Sequence, residues 1–168
     1  MEENKTIPTH YLYPAALFAS REVYIVNTIL GSCVSVCFFD RKLNIGGINH
    51  FMLPLWNGME LASPKYGNIA IEKLYEKMLS LGCSKGSLIA KVFGGGEVIE
   101  TKQAFFNIGQ RNIEIAIDML DKMKIPIVAS SLGGKEGRKI QYNTFDGSVK
   151  MKFVTQSNTV EKKKVLTN

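Results

Sequence analysis

Two apolar stretches separated by a short turn constrain the fold of this chain more than any other feature. Residues 34–39 are dense in small and apolar side chains, and residues 40–44 supply turn chemistry before a second apolar stretch at residues 45–51. This pattern predicts a β-hairpin, in which the chain returns beside itself. Because a strand advances about 3.3 Å per residue, the hairpin brings His50 back to the neighbourhood of Cys33.

Cys33 and His50 form the candidate catalytic pair. Cys33 follows the turn at Gly31 and Ser32, and His50 lies on the adjacent predicted strand. A thiol becomes a nucleophile when an imidazole takes its proton, and an imidazolium partner can lower the thiol pKa. Spacing alone leaves a second interpretation open, a core cysteine beside a satisfied core histidine. Since glycine adopts conformations closed to other residues, Gly31 and Ser32 are candidates for an oxyanion site.

The remaining cysteines predict no further chemistry. Cys37 and Cys83 lie in apolar surroundings and are interpreted as small hydrophobic core side chains. Three cysteines are an odd and sparse set for a disulfide framework. His10 has no second histidine, cysteine or carboxylate cluster near it at the spacing of a metal site, and we expect no metal.

The rest of the chain predicts a mixed α+β fold. Helical periodicity predicts helices over residues 65–81 and 108–123, with Asn107 as the N-cap of the second. Two helices are too few to cover both faces of a doubly wound sheet, so we expect segregated helices over paired sheets. Further strands are predicted at residues 22–30, 87–93, 127–131 (a buried strand), 138–143 and 148–154, the last two as a hairpin.

Three consecutive glycines follow the strand at residues 87–93. Gly94, Gly95 and Gly96 lack the lysine and Ser/Thr that follow them in a nucleotide-binding loop, so a phosphate site is disfavoured. Close approach of backbone to a substrate or to a neighbouring strand explains them better. They are therefore the candidate substrate cleft.

Composition limits the domain count and the kind of partner. The chain has 168 residues and a net charge of +6, which fits a single domain at residues 1–154 followed by a polar tail at residues 155–168. The lysines are scattered, so nucleic-acid binding is disfavoured. No apolar run is long enough to span a bilayer, and residues 1–20 lack the pattern of a secretory signal. We expect a cytoplasmic protein that does not insert into a membrane.

The segment around Cys33 resembles the CheD family of chemoreceptor glutamine deamidases. Residues 30–37 (LGSCVSVC) resemble the family's nucleophile segment, and residues 46–54 (GGINHFMLP) resemble its histidine segment. Further resemblance lies at residues 65–66 (KY), 94–95 (GG), 107–112 (NIGQRN) and 132–138 (LGGKEGR). These segments follow one another in order from about residue 20 to residue 154.

The resemblance implies roles for the candidate residues. Cys33 would be the nucleophile and His50 the general base and later the acid. The family typically has a threonine six residues before the cysteine to orient the histidine, whereas this chain has Asn27 there and Thr28 one position later. Strand alternation places these two on opposite faces, so Thr28 needs a bulge to serve. Asn27 is the predicted third member, with Thr28 as the alternative, because an amide oxygen can accept the imidazole N–H.

The resemblance also implies a fold and partners. The fold would be a three-layer α/β/β sandwich of the cysteine-hydrolase type found in cytotoxic necrotizing factor catalytic domains. The activity would be hydrolysis of glutamine side chains on methyl-accepting chemotaxis receptors, without a cofactor and with a regulatory role in adaptation. A CheC-type phosphatase is the second implied partner. The alternative is a catalytically weak module that mainly docks on this phosphatase, suggested by Asn27 and by Glu97, which departs from the family's small apolar residues.

Overall fold

The computed structural model describes residues 5–98 and 107–154. Within these ranges the chain forms nine strands, two α-helices and one 3₁₀-helix. The strands are β1 (Thr9–Tyr11), β2 (Leu17–Ser20), β3 (Ile25–Leu30), β4 (Val34–Asp40), β5 (Ile45–Asn49), β6 (Leu88–Gly94), β7 (Ile127–Leu132), β8 (Gly137–Asn143) and β9 (Val149–Val154). The helices are α1 (Gly67–Ser80) and α2 (Ile108–Met123), and the 3₁₀-helix spans Lys85–Ser87. The predicted tail at residues 155–168 lies outside the described residues.

The strands form two sheets. A five-stranded sheet has the order β2-β5-β4-β6-β7, and a four-stranded sheet has the order β1-β3-β8-β9. Neighbouring strands are antiparallel except for β1 beside β3 and β6 beside β7, which run parallel. Both predicted hairpins, β4–β5 and β8–β9, are confirmed.

Two apolar clusters join these elements into three layers. One cluster packs α1 and α2 on the five-stranded sheet and includes Phe38, Leu74 and Leu120. The second lies between the two sheets and consists of Leu12, Val26, Leu30, Cys37, Ile48, Phe93, Ile140 and Tyr142. The layers are therefore helices, five-stranded sheet and four-stranded sheet. This arrangement confirms the predicted α+β class with helices segregated to one side.

The turn between β4 and β5 is built around Asp40. Its Oδ1 atom accepts the backbone N–H groups of Lys42 at 2.9 Å and Leu43 at 3.0 Å. Asn44 closes the turn in the left-handed region, with φ of 53°, which asparagine tolerates better than most residues. The turn returns β5 beside β4, and β5 then leads directly to His50.

Two local predictions are corrected. The strand at residues 127–131 was expected to be buried, but residues 127–130 of β7 are exposed because β7 lies at the edge of its sheet and pairs only with β6. Asn107 does occupy the N-cap position of α2, but it has φ of 46° and its side chain makes no capping hydrogen bond. The helix thus begins where predicted, but without the predicted side-chain cap.

Candidate active site

His50 and Thr28 meet in the layer between the two sheets. The Oγ1 atom of Thr28 lies 2.7 Å from Nδ1 of His50, and it also donates to the carbonyl oxygen of Leu12 at 2.7 Å. Both side chains are buried, with 0% of Thr28 and 2% of His50 exposed. Thr28 comes from β3 of the four-stranded sheet and His50 follows β5 of the five-stranded sheet, so this contact joins the two sheets.

These two hydrogen bonds determine the tautomer of His50. A threonine hydroxyl has one hydrogen, and the Leu12 carbonyl can only accept. When the hydroxyl hydrogen points to Leu12, the hydrogen in the second bond comes from Nδ1 of the imidazole. The Nε2 atom then carries the lone pair that can accept a proton.

Asn27 lies on the other face of β3, away from His50. Its Oδ1 atom accepts a hydrogen bond from Nε2 of Gln141 at 3.3 Å in an exposed position. The expectation that the Asn27 amide contacts His50 is therefore wrong. No bulge was needed for Thr28, because β3 pairs with β8 in unbroken register from Ile25 to Leu30.

The backbone around His50 is fixed from two sides. Its N–H donates to the carbonyl of Ala16 at 3.1 Å, and its carbonyl accepts the N–H of Ala15 at 2.8 Å. On the other side, the next residue, Phe51, pairs with Val34 through two backbone hydrogen bonds of 3.0 and 3.1 Å. The orientation of the His50 ring thus rests on a fixed backbone as well as on Thr28.

Cys33 shares the inter-sheet face with His50. Cys37 and Ile48 face each other across the β4–β5 ladder and both pack between the sheets. Val34 and Phe51 continue this pairing as an isolated bridge, so alternation through the bridge would put Cys33 and His50 on that same face. Cys33 packs at the margin of the inter-sheet cluster and is partly exposed. The structure therefore places Cys33, His50 and Thr28 in the same inter-sheet layer, with a direct contact between Thr28 and His50.

The three glycines support the backbone of the Cys33 turn. The N–H of Gly95 donates to the carbonyl of Cys33, and that of Gly96 donates to the carbonyl of Gly31, each at 2.9 Å. Gly94 has φ of 113°, and a Cβ atom there would collide with the Cys33 carbonyl oxygen. All three glycines are buried. Their contacts match the neighbouring-backbone interpretation, and their part in a substrate cleft stays a prediction.

Gly31 and Ser32 lie beside these glycines, immediately before Cys33. Gly31 does not have the positive φ that the sequence interpretation invoked. A Cβ atom at Gly31 would instead lie 3.1 Å from the Val98 side chain, so close packing is what favours glycine there. Ser32 is partly buried, and its carbonyl oxygen accepts a hydrogen bond from α2.

The α2 donor is Asn112, which the sequence interpretation missed. Its Nδ2 atom donates to the carbonyl oxygens of Ser32 and Met52, each at 3.0 Å. A polar residue within the buried stripe of α2, beside Ile113 and Ala116, was the signal in the sequence.

Arg138, on β8, was also missed. It is 3% exposed and supports the glycine segment through hydrogen bonds to the carbonyls of Gly94 at 3.4 Å and Gly133 at 2.8 Å. Its Nε atom donates to the Ser131 hydroxyl at 3.0 Å. Arg138 thus holds the backbone that in turn holds Cys33.

Burial favours neutral forms of both predicted catalytic groups. Desolvation lowers the pKa of His50 from 6.5 to about 4. Desolvation also raises the pKa of the Cys33 thiol, an effect partly offset by the N–H of Cys33 itself. Both shifts favour a neutral thiol beside a neutral imidazole. The expected lowering of the thiol pKa by an imidazolium is therefore not found, and the proton has to move as the thiol attacks.

The other two cysteines differ from Cys33 in exposure. Cys37 is 2% and Cys83 6% exposed, whereas Cys33 is partly exposed. Burial raises the pKa of Cys83 to about 11, helped by nearby Asp40, and raises the pKa of Cys37 further. Both thiols lie inside the apolar clusters, as predicted from their surroundings.

Within residues 5–98 and 107–154, no group of three or more histidine, cysteine, aspartate or glutamate side chains could hold a metal ion. Over the same residues, no helix is long and apolar enough to cross a membrane.

Comparisons with known proteins give a family model, several relatives and a solved structure. Residues 52–153 match the family model described as CheD chemotactic sensory transduction. A protein of Trichlorobacter lovleyi named probable chemoreceptor glutamine deamidase CheD is 46% identical over 157 residues, covering 94% of this chain and 98% of its own. A protein of Sulfurimonas denitrificans with the same name is 45% identical over 148 residues, covering 88% and 95%. One solved structure, of a Neisseria meningitidis protein, aligns at 10% identity over 76% of this chain and 63% of its own, with a TM-score of 0.41.

Proposed function

The chain belongs to the CheD family, and we propose that it is a protein-glutamine deamidase acting on methyl-accepting chemotaxis receptors. The relatives that cover most of the chain are named chemoreceptor glutamine deamidases. The observation that carries the proposal is the 2.7 Å contact of Thr28 with His50 in the layer where Cys33 also packs. A thiol, an imidazole and a hydroxyl that orients the imidazole are the parts that covalent amide hydrolysis requires.

The proposed reaction has two stages. In the first, Sγ of Cys33 attacks the carboxamide carbon of a substrate glutamine while Nε2 of His50 takes the thiol proton. The imidazolium then gives this proton to the leaving nitrogen, so that ammonia departs and a thioester remains. In the second, His50 takes a proton from a water molecule that attacks the thioester, and returns it to the departing Cys33 sulfur. The products are glutamate and ammonia, and no redox step or cofactor is needed.

Backbone N–H groups at the Cys33 turn are the proposed oxyanion donors. The N–H of Cys33 lies beside its own thiol, where it stabilises negative charge. This N–H and that of Ser32 would face the oxygen that becomes negative when the thiol attacks the carboxamide. Gly31 contributes by leaving room for Val98 at the turn. The substrate glutamine would enter from the exposed side of Cys33.

The finer fold assignment and the second partner also remain proposals. The sequence of layers, with helices on one sheet and the inter-sheet edge carrying Cys33, is compatible with the cysteine-hydrolase sandwich of cytotoxic necrotizing factor catalytic domains. Docking on a CheC-type phosphatase would add a regulatory role in adaptation. The alternative of a catalytically weak module loses one of its two motives, because Thr28 contacts His50 where Asn27 does not.

A direct test is to incubate the purified protein with cytoplasmic fragments of chemoreceptors and follow the mass of their peptides. Each conversion of glutamine to glutamate gives a characteristic mass gain, and the Cys33→Ala variant should show none. The Cys37→Ala variant is the matched control, since it removes a buried sulfur four residues beyond Cys33 on the same inter-sheet face of β4 and should retain activity. An inactive wild type that binds a CheC-type phosphatase would favour the alternative, and an active Cys33→Ala variant would refute the mechanism.

A further inference from the structure

The carbonyl oxygens of the Cys33 turn are held by three different donors. The Gly31 carbonyl accepts the N–H of Gly96, and the Cys33 carbonyl accepts the N–H of Gly95. Between them, the Ser32 carbonyl accepts Nδ2 of Asn112 at 3.0 Å. Three consecutive peptide groups are thus fixed from outside the turn, two by backbone and one by a side chain.

Fixing a carbonyl also fixes the N–H that follows it. The peptide bond is planar and trans, so the carbonyl of Ser32 and the N–H of Cys33 point in opposite directions from one rigid unit. The hydrogen bond from Asn112 to the Ser32 carbonyl therefore sets the direction of the Cys33 N–H. The Asn112 side-chain amide donates a second hydrogen bond to the carbonyl of Met52, in the segment that follows His50.

The amide of Asn112 donates two hydrogen bonds but leaves its own oxygen unpaired. The side chain is 0% exposed, and its Oδ1 atom has no hydrogen-bond partner among the residues that the structure describes. A buried carbonyl without a partner costs about as much as the two donated bonds contribute. An apolar side chain at this place would remove the unpaired amide oxygen, but it would also leave the Ser32 and Met52 carbonyls without this donor.

We infer that Asn112 is a positioning residue that orients the Cys33 N–H as an oxyanion donor. The inference rests on the proposed function, because it assigns the N–H a partner that exists only when an acyl group reacts at Cys33. An oriented donor is felt in the transition state and hardly at all in the binding of substrate. Loss of Asn112 should thus lower kcat and leave KM nearly unchanged.

The test compares two reactions of Cys33 in the purified full chain. In acylation by p-nitrophenyl acetate, Cys33 sulfur displaces p-nitrophenolate through an intermediate that carries an oxyanion. In alkylation by iodoacetamide, the sulfur displaces iodide and no oxyanion forms. Asn112→Leu should slow acylation by about 10- to 1,000-fold and change alkylation by less than about threefold. Deamidation of receptor fragments should lose kcat in proportion to acylation, with KM unchanged.

Two further variants keep the outcome decisive. Asn112→Ala serves if the leucine variant does not fold, as judged by its melting temperature. Asn68→Ala is the matched control, since Asn68 is an asparagine of α1 whose amide oxygen accepts the N–H of Trp56, and it should leave both reactions unchanged. Equal losses in acylation and alkylation, or no loss in either, would overturn the inference. A wild type that acylates Cys33 but deamidates no receptor would overturn only the proposed function.

Discussion

Replacing Thr28 with valine tests the geometry of the site most directly. The substitution keeps the β-branched shape and strand propensity and removes only the hydroxyl. That hydroxyl makes two buried hydrogen bonds of 2.7 Å, to the Leu12 carbonyl and to Nδ1 of His50. Each group left unpaired costs about 1–3 kcal/mol, so the free energy of unfolding should fall by at least about 2 kcal/mol. A domain of typical stability, about 5–15 kcal/mol, stays folded after this loss.

The effect on turnover should exceed the effect on stability. The Thr28 hydroxyl is the described partner that keeps the imidazole hydrogen on Nδ1 of His50. Without it, the hydrogen can move to Nε2, and Nε2 then has no lone pair to accept the thiol proton. We expect Thr28→Val to lower kcat by about 10- to 1,000-fold with little change in KM. Thr28→Ser restores the hydroxyl and should recover most of the activity.

Mass-spectrometric time courses on receptor fragments give kcat and KM, and ¹⁵N NMR of the imidazole reports which nitrogen carries the hydrogen. Asn27→Ala is the control from the opposite face of β3, since it loses only an exposed hydrogen bond with Gln141. It should change the free energy of unfolding by no more than about 0.5 kcal/mol and leave kcat intact. The reasoning fails if Asn27→Ala cripples turnover while Thr28→Val does not.

Three further outcomes follow from the structure. Gly94→Ala should abolish deamidation and lower the melting temperature, because its Cβ would collide with the Cys33 carbonyl. Gly134→Ala is the control, since Gly134 also has a positive φ but has no atom within 4 Å of an added Cβ. This variant should lose only about 1 kcal/mol of unfolding free energy in chemical denaturation. Because burial lowers the pKa of His50 from 6.5 to about 4, the free energy of unfolding should be highest above pH 6.5. It should fall by up to about 3 kcal/mol as the pH drops from 6.5 to about 4. His50→Gln should remove this part of the pH dependence. Cys37→Ala should keep deamidation while costing about 1 kcal/mol or more of stability, and iodoacetamide should label Cys33 before Cys37, which is 2% exposed.

The hairpin and the placement of Cys33 near His50 could be predicted from sequence because both depend on local signals. Asp40 and Asn44 form the turn that their residue types favour, and the two apolar strands leave one way to pair. The segregation of the helices followed from the count of elements, since two helices are too few to cover both faces of a doubly wound sheet. Local chemistry and simple counting were sufficient for these features.

The face of β3 that is buried could not be predicted in the same way. Val26 and Leu30 face the inter-sheet core, but Ile25 and Ile29 on the opposite face are equally large and apolar. Hydrophobic alternation therefore does not show which face of β3 is buried. The position of Cys33 does not show it either, because the turn between β3 and Cys33 does not keep the alternation of a strand. Only the packing of the four-stranded sheet decides that Thr28 points inward.

The supporting residues were hidden for a different reason. Asn112 and Arg138 act on backbone carbonyls of segments distant in sequence, at Ser32 and Gly94 respectively. A side chain that binds a carbonyl leaves no residue-type signature on its partner, because every residue has a carbonyl. A polar residue on a buried face is unusual, but this alone does not show which carbonyl the side chain binds.

The connection between β1 and β2 links the chemistry of the site to the packing of the two sheets. Leu12 at its start accepts the Thr28 hydroxyl, while Ala15 and Ala16 at its end bind the backbone of His50. Since β1 belongs to the four-stranded sheet and β2 to the five-stranded sheet, any shift of one sheet against the other changes the distance between Thr28 and His50. The hydrogen bond that orients the imidazole thus depends on the inter-sheet core. Loosening that core should lower kcat before it unfolds the protein.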